Sequence, residues 1–171
     1  AEKFGIHGEV DVTIGTLSKA PGAIGGYAVG SKALTDYLRF YARPYFFSTS
    51  VPAPVIAGLI EVFDMIANET SIRENLWRNI RYLKEGLDEA GFDTGNSSSA
   101  IVPVIHSDET SLKAMLRELF EHGIFANYVA YPAVPRNRPR MRLNVMATHT
   151  SEQLETALCV FRELGRKHGL I

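Results

Sequence analysis

Lys19 is the residue of this sequence whose type and surroundings suit covalent chemistry. It follows Gly15-Thr16-Leu17-Ser18 and precedes Ala20-Pro21-Gly22-Ala23-Ile24-Gly25-Gly26. A lysine amine in such a loop can form a Schiff base with an aldehyde cofactor. Small residues let the backbone approach a flat ring closely, and the hydroxyls of Thr16 and Ser18 suit a phosphate. Residue types alone leave a plainer reading open, that of a solvated lysine after a turn. A second chemistry lies in Arg140-Met141-Arg142-Leu143-Asn144-Val145. A guanidinium grips a carboxylate through two parallel hydrogen bonds. Alternation puts Arg140 and Arg142 on the same strand face, so spacing does not choose between them. His106, His122 and His168 show no metal spacing with carboxylates, and a single cysteine excludes a Cys-cluster site. No metal is expected. His149 reads as a structural hydrogen-bonding residue, and His7 is assigned no role.

These groups must be held by regular elements. An alternating run over 10–14 reads as a strand that runs into the Lys19 loop. Tyr27-Ala28-Val29 reads as a second strand, ended by Gly30. Residues 31–41 and 52–68 read as helices, the second with Pro52 and Pro54 near its first turn. Ser71-Ile72-Arg73-Glu74 has the form of a capping box. It opens a helix with Ile72, Leu76, Ile80, Leu83 and Leu87 on one face, stopped by Gly91. Trp77 lies beside that face as a packing residue. Strands are expected over 100–105 and 124–129, and over the alternating segment around Met141, Leu143 and Val145. Leu112, Met115, Leu116, Leu119 and Phe120 mark a helix between the first two, ended by Gly123. Thr150-Ser151-Glu152-Gln153 is a second capping box. It starts a helix whose apolar face carries Leu154, Ala157, Leu158, Phe161 and Leu164, with Cys159 read as a core residue on that side. From Ser71 the order is helix, strand, helix, strand, strand, helix, an α+β unit with helices on one face of a sheet. Residues 96–99 form a polar loop.

Composition narrows the function classes. The chain has 171 residues, room for one domain or two small units. Its 46% hydrophobic and 22% charged residues are those of a globular protein. The formal net charge is −1 with no Lys/Arg stripe, which argues against nucleic-acid binding. No apolar run approaches the roughly 18 residues that span a bilayer, and residues 1–8 lack the apolar stretch of a signal peptide. One cysteine suits a reducing, cytoplasmic compartment.

Taken together, the motifs resemble those of one family. Gly15-Thr16-Leu17-Ser18-Lys19-Ala20, preceded by Val10-Asp11 and followed by Gly25-Gly26-Tyr27, is similar to the cofactor-lysine segment of the α-oxoamine synthases. These pyridoxal-phosphate (PLP) enzymes include serine palmitoyltransferase, 8-amino-7-oxononanoate synthase and 2-amino-3-ketobutyrate CoA ligase. Ala42-Arg43-Pro44-Tyr45-Phe46-Phe47-Ser48-Thr49-Ser50 resembles the segment that follows. Pro132-Ala133-Val134-Pro135 precedes a basic strand, as in the family. Arg140-Met141-Arg142-Leu143 and Met146-Ala147-Thr148-His149-Thr150 resemble its carboxylate-binding region. Three shorter phrases look most like bacterial serine palmitoyltransferases: Gly91-Phe92-Asp93-Thr94-Gly95, Ile124-Phe125-Ala126-Asn127 and the Met146–Thr150 stretch.

The resemblance implies a fold type I PLP-dependent transferase, α/β and α+β, with residues 1–68 the end of a large cofactor-binding domain and 69–171 a small C-terminal domain. It implies PLP on Lys19, which would also move the α-proton of the amino acid. Thr16 would donate to the cofactor phosphate, and Ser48 and Thr49 would reach the phosphate of the neighbouring subunit's cofactor in a homodimer with shared active sites. Arg142 would hold the substrate carboxylate, with Arg140 left as a surface or subunit-contact residue and Tyr45, Phe46 and Phe47 lining the interface. The implied biosynthetic reaction joins an amino acid, serine or glycine, to an acyl-CoA or acyl-carrier thioester with loss of CO2.

The family's remaining cofactor contacts have no counterpart in the sequence: a ring stacked on PLP, an aspartate on the pyridine nitrogen and a histidine acid. The sequence therefore reads as a C-terminal fragment, inactive alone and with cofactor absent or poorly held. Residues 1–68 are expected to expose apolar surface, whereas 69–171 has its own helices and sheet. Two rival readings are an aminotransferase of the same fold and a non-catalytic partner subunit.

Overall fold

The computed structural model describes every residue except 2, 3 and 7, so His7 lies outside the described residues. The chain forms two compact units, Ala1–Glu69 and Thr70–Ile171.

The first unit is built on a hairpin. Strands β1 (Val12–Thr16) and β2 (Gly26–Gly30) pair antiparallel, with Val12 opposite Gly30 and Thr16 opposite Gly26. β1 therefore starts and ends two residues later than the alternation over 10–14 suggests. Gly15 stays in the strand because it faces Tyr27, whose ring occupies the space a Cβ would need; that Cβ would lie 2.3 Å from Tyr27 Cζ. Helix α1 (Lys32–Tyr41) is capped by Ser31, whose Oγ accepts the Leu34 N–H at 3.2 Å. A four-residue helix, α2 (Arg43–Phe46), carries Pro44 in its first turn, and α3 (Ala53–Asn68) begins after Pro52. Leu17 and Leu59 are the buried hydrophobic residues of this unit. Ile14, Phe40, Phe46, Phe47 and Ile60 are exposed, which agrees with the apolar surface expected for residues 1–68.

The second unit has a closed core. Helix α4 (Thr70–Ala90) is followed by β3 (Ile101–Ile105), α5 (Glu109–Glu121), β4 (Asn127–Val129), β5 (Arg140–Asn144) and α6 (Ser151–Lys167). The three strands form an antiparallel sheet in the order β3-β5-β4. One face packs Val102, Val104, Met141 and Leu143 against Ile80, Leu83 and Leu87 of α4, Leu112, Met115 and Leu119 of α5, and Leu154, Leu158, Phe161 and Leu164 of α6. Burying each such side chain contributes about 1.5–3 kcal/mol. Phe92 meets Phe161 edge-on at 5.9 Å. Two glycines let this packing close: a Cβ on Gly86 would lie 2.5 Å from Leu158 Cδ1, and one on Gly165 would lie 2.4 Å from Phe92 Cζ.

Several expectations are corrected. Ser71 lies inside α4, which already includes Thr70, so the proposed box at Ser71–Glu74 does not start the helix. The box at Thr150 is present: its side chain accepts from Gln153 N at 3.2 Å, and the Gln153 side chain accepts from Thr150 N at 3.0 Å. Cys159 is exposed rather than in the core. It follows buried Leu158, and one residue turns the direction about 100° around a helix, off the 154–158–161–164 stripe. Ile72 and Phe120 are exposed too, although both fit an apolar spacing. β4 covers only the second half of 124–129.

Candidate active site

The Lys19 loop is shaped by its own backbone. Leu17 N donates to Gly25 O at 2.9 Å and Ala23 N to Leu17 O at 2.8 Å, which pinches the loop at its base. A further turn is closed by Gly22 N on Lys19 O at 2.8 Å, where Gly22 has φ 68°. Leu17 is buried and anchors the loop, while Lys19 is exposed. Among the described residues, its amine has no ion pair or hydrogen bond.

Thr16 ends β1, and its Oγ1 lies 2.8 Å from Ser18 Oγ and accepts the Ser18 N–H at 3.2 Å. Two hydroxyls carry two protons, and only one is used between them. One O–H therefore remains to donate outward, three residues or fewer from the free amine. An amine, a spare hydroxyl donor and a glycine-rich loop together fit an aldehyde cofactor bearing a phosphate. Ser48 and Thr49 follow α2 on exposed chain, with Ser48 N on Tyr45 O at 3.4 Å. Tyr45, Phe46 and Phe47 beside them are also exposed.

Arg142 belongs to the second unit and lies on the sheet face turned away from the core. Met141 and Leu143 point inward, which sends Arg140, Arg142 and Asn144 outward. The structure separates the two arginines where spacing could not. Arg140 donates from Nε and Nη2 to the carbonyl of Arg138, both at 3.2 Å. Arg138 in turn pairs with Asp93 at 3.4 Å. Arg142 is exposed and, among the described residues, its guanidinium is unpaired. Both arginines line an open cleft of about 780 Å³ over the outer face of the sheet. The carbonyl of Arg138 was not foreseen as Arg140's partner, because it depends on the fold of the loop between β4 and β5.

The turn after β5 is fastened by a buried amide. Asn79 Nδ2 donates to Met146 O at 3.0 Å and to His149 O at 2.9 Å. Met146 N donates to His149 Nδ1 at 3.3 Å, the structural role expected of that ring. Asn79 was missed, though a polar residue on the stripe of Leu76, Ile80 and Leu83 was the available signal. Among the described residues, no group of three His, Cys, Asp or Glu side chains is placed to hold a metal. No helix among them is long and apolar enough to cross a membrane.

Residues 2–161 match the family model described as Aminotransferase class I and II. Over its full 171 residues the chain is 42% identical to the 8-amino-7-oxononanoate synthase of Thermoanaerobacter pseudethanolicus and covers 43% of that protein. The serine palmitoyltransferase structure from Sphingomonas wittichii matches with a TM-score of 0.94 at 34% identity, covering 99% of this chain and 43% of that one. Another serine palmitoyltransferase structure, solved with PLP as its internal aldimine, matches with a TM-score of 0.93 at 34% identity, again covering 99% and 43%. The chain thus spans about 43% of the length of these relatives. The phrases that look like serine palmitoyltransferase do not single it out, since the identity to an 8-amino-7-oxononanoate synthase is 42%.

Proposed function

From the premise that the chain belongs to the class I and II aminotransferase family and has the mixed α/β architecture of fold type I PLP-dependent transferases, we propose that it serves an α-oxoamine synthase. The whole protein would condense serine or glycine with an acyl thioester and release CO2. The observation that carries this reading is the pairing of ordered motifs with two free cationic groups, the Lys19 amine on its pinched loop and the Arg142 guanidinium on its strand.

Each residue has a task its chemistry suits. Lys19 would carry the cofactor through Nζ and would accept and return the α-proton of the amino acid. PLP, when bound, supplies the electron sink that makes loss of that proton and of CO2 feasible. The spare O–H of the Thr16–Ser18 pair would donate to the phosphate, with Thr16 as the residue implied by the family motif. Ser48 and Thr49 would serve the phosphate of a second copy's cofactor, which makes a homodimer with shared sites part of the proposal. Arg142 would hold the amino-acid carboxylate in a two-pronged grip and so fix the α-carbon. Arg140, occupied by the Arg138 carbonyl, is left out of that grip.

A chimera tests the reading. The chain replaces the matching 43% of the Thermoanaerobacter 8-amino-7-oxononanoate synthase, and carboxyl-labelled serine or glycine is supplied with an acyl thioester. Acyl-dependent release of labelled CO2 with formation of an α-oxoamine supports the proposal. A keto acid formed without CO2 would assign an aminotransferase instead. No reaction in a folded chimera, beside an active parent, would favour a non-catalytic role.

A further inference from the structure

The outer face of the three-stranded sheet is not uniformly polar. Alternation along β3 sends Val102 and Val104 into the core and turns Ile101, Pro103 and Ile105 toward the cleft. Register fixes their neighbours: Pro103 lies opposite Arg142, Ile101 opposite Asn144 and Ile105 opposite Arg140. An apolar strip about 14 Å long, four residue steps of a strand, thus runs beside the row that carries Arg142. The strip is open at Ile101 and Pro103, both half-buried, and closed at Ile105, which is buried. The covering segment comes close there, since a Cβ on Gly95 would lie 3.2 Å from Ile105 Cδ1, and Asp93 bridges to Ile105. Val129 and Val134 extend the apolar lining on the far side of the arginine row.

We propose that this face binds an amphiphile, with a carboxylate on Arg142 and an unbranched acyl chain along Ile101 and Pro103 toward the closed end at Ile105. The assignment rests on the reading of Arg142 as the carboxylate partner and adds the location of the acyl group to it. A free guanidinium next to an apolar strip matches a ligand that joins one anionic head to one apolar tail. Purely polar ligands would leave the strip wet, and purely apolar ones would bury the guanidinium unpaired, which is costly. Ile101 and Pro103 then become residues that set acyl preference.

N-acylglycines of increasing chain length, from acetyl to decanoyl, are the probe, titrated into the 171-residue chain by calorimetry. Affinity is expected to rise about tenfold or more across the series, because each added methylene buries apolar surface. Arg142→Ala should weaken every member together by about tenfold or more. Ile101→Asn, which makes the strip polar without adding a charge beside Arg142, should flatten the length dependence, with fold checked by the fluorescence of Trp77. Length dependence that survives Ile101→Asn would place the tail elsewhere, for example on the exposed apolar residues of the first unit, and would overturn the inference. An absence of length dependence in the unaltered protein, with Arg142 still required, would also overturn it and leave the carboxylate reading standing. Binding insensitive to both Arg142 and chain length would remove both.

Discussion

Replacing Gly86 by alanine sets two known effects against each other, and the structure decides the sign. Alanine in a helix interior is favoured over glycine by about 1 kcal/mol. The new methyl would lie 2.5 Å from Leu158 Cδ1, 2.8 Å from Cδ2 and 3.2 Å from Cγ. Both methyls and their parent carbon crowd it, so a single side-chain rotation of Leu158 does not clear the space. Leu158 is 4% exposed and hemmed in by the core, so α4 and α6 must move apart. Over-packing of this kind costs about 1–3 kcal/mol. Gly86→Ala is therefore expected to destabilise the second unit by about 1 kcal/mol, a fall of roughly 4–8 °C in midpoint for a unit of this size. The control is Gly58 in α3, where an added methyl meets no atom within 4 Å. There the propensity gain stands unopposed, and Gly58→Ala should be neutral to stabilising for the first unit, followed by far-UV circular dichroism because α3 lies outside the unit that Trp77 reports. Trp77, the single tryptophan, lies in α4 and reports the unfolding of the second unit in urea or on heating. Leu158→Ala alone should cost about 2–5 kcal/mol, and adding Gly86→Ala to it should recover part of that loss rather than deepen it. A raised midpoint for Gly86→Ala in the unaltered background would refute the argument, by showing that the α4–α6 contact yields without cost.

Two other predictions concern polar contacts of the second unit. Asn79→Ala removes one buried amide that satisfies two carbonyls, Met146 O and His149 O, and should cost about 1–3 kcal/mol; an unchanged urea midpoint would mean that water takes its place. The Glu118 carboxyl is held below its ordinary value of 4.5, chiefly by its hydrogen bond to the Lys167 ammonium, with a smaller contribution from His168. Because its folded-state value is depressed, its contribution to stability is present above 4.5 and is lost as pH falls through the lower folded value. Glu118→Gln should therefore reduce stability near neutral pH, with the gap to the unaltered protein closing below 4.5; a gap independent of pH would count against the ion pair.

The second unit was largely readable because its residues answer to local rules. Strict period fixed α4, α5 and α6 through Ile80, Leu83, Leu87, Leu112, Met115, Leu119, Leu154 and Leu158, all of which are buried. Alternation fixed β5, and the glycines after α4 and α5 take positive φ, 100° at Gly91 and 75° at Gly123. What escaped depends on tertiary neighbours. Cys159, Ile72 and Phe120 are apolar by type, but they lie on exposed sides of their helices. The strand over 124–129 shortened to β4 because only residues 127–129 find partners on β5. In the first unit, Phe40, Phe46 and Ile60 carry core-like side chains with no layer above them among the described residues. For the candidate site, the family motif pointed to Lys19 and to Arg142 over Arg140, while the Arg138 carbonyl that engages Arg140 depends on the fold of the loop between β4 and β5 and was not legible.

The central claim is that Lys19 is the cofactor lysine, and trapping tests it most directly. The chimera with the Thermoanaerobacter synthase, which restores the part of the protein that this chain lacks relative to it, is incubated with limiting PLP, reduced with borohydride and mapped by peptide mass spectrometry, beside Lys19→Ala. Lys19 is free of ion pairs among the described residues, whereas Lys32, Lys84, Lys113 and Lys167 are each paired with a carboxylate. The prediction is a reduced adduct concentrated on Lys19, with total labelling falling sharply in Lys19→Ala. Equal labelling across the exposed lysines, unchanged by Lys19→Ala, would contradict it.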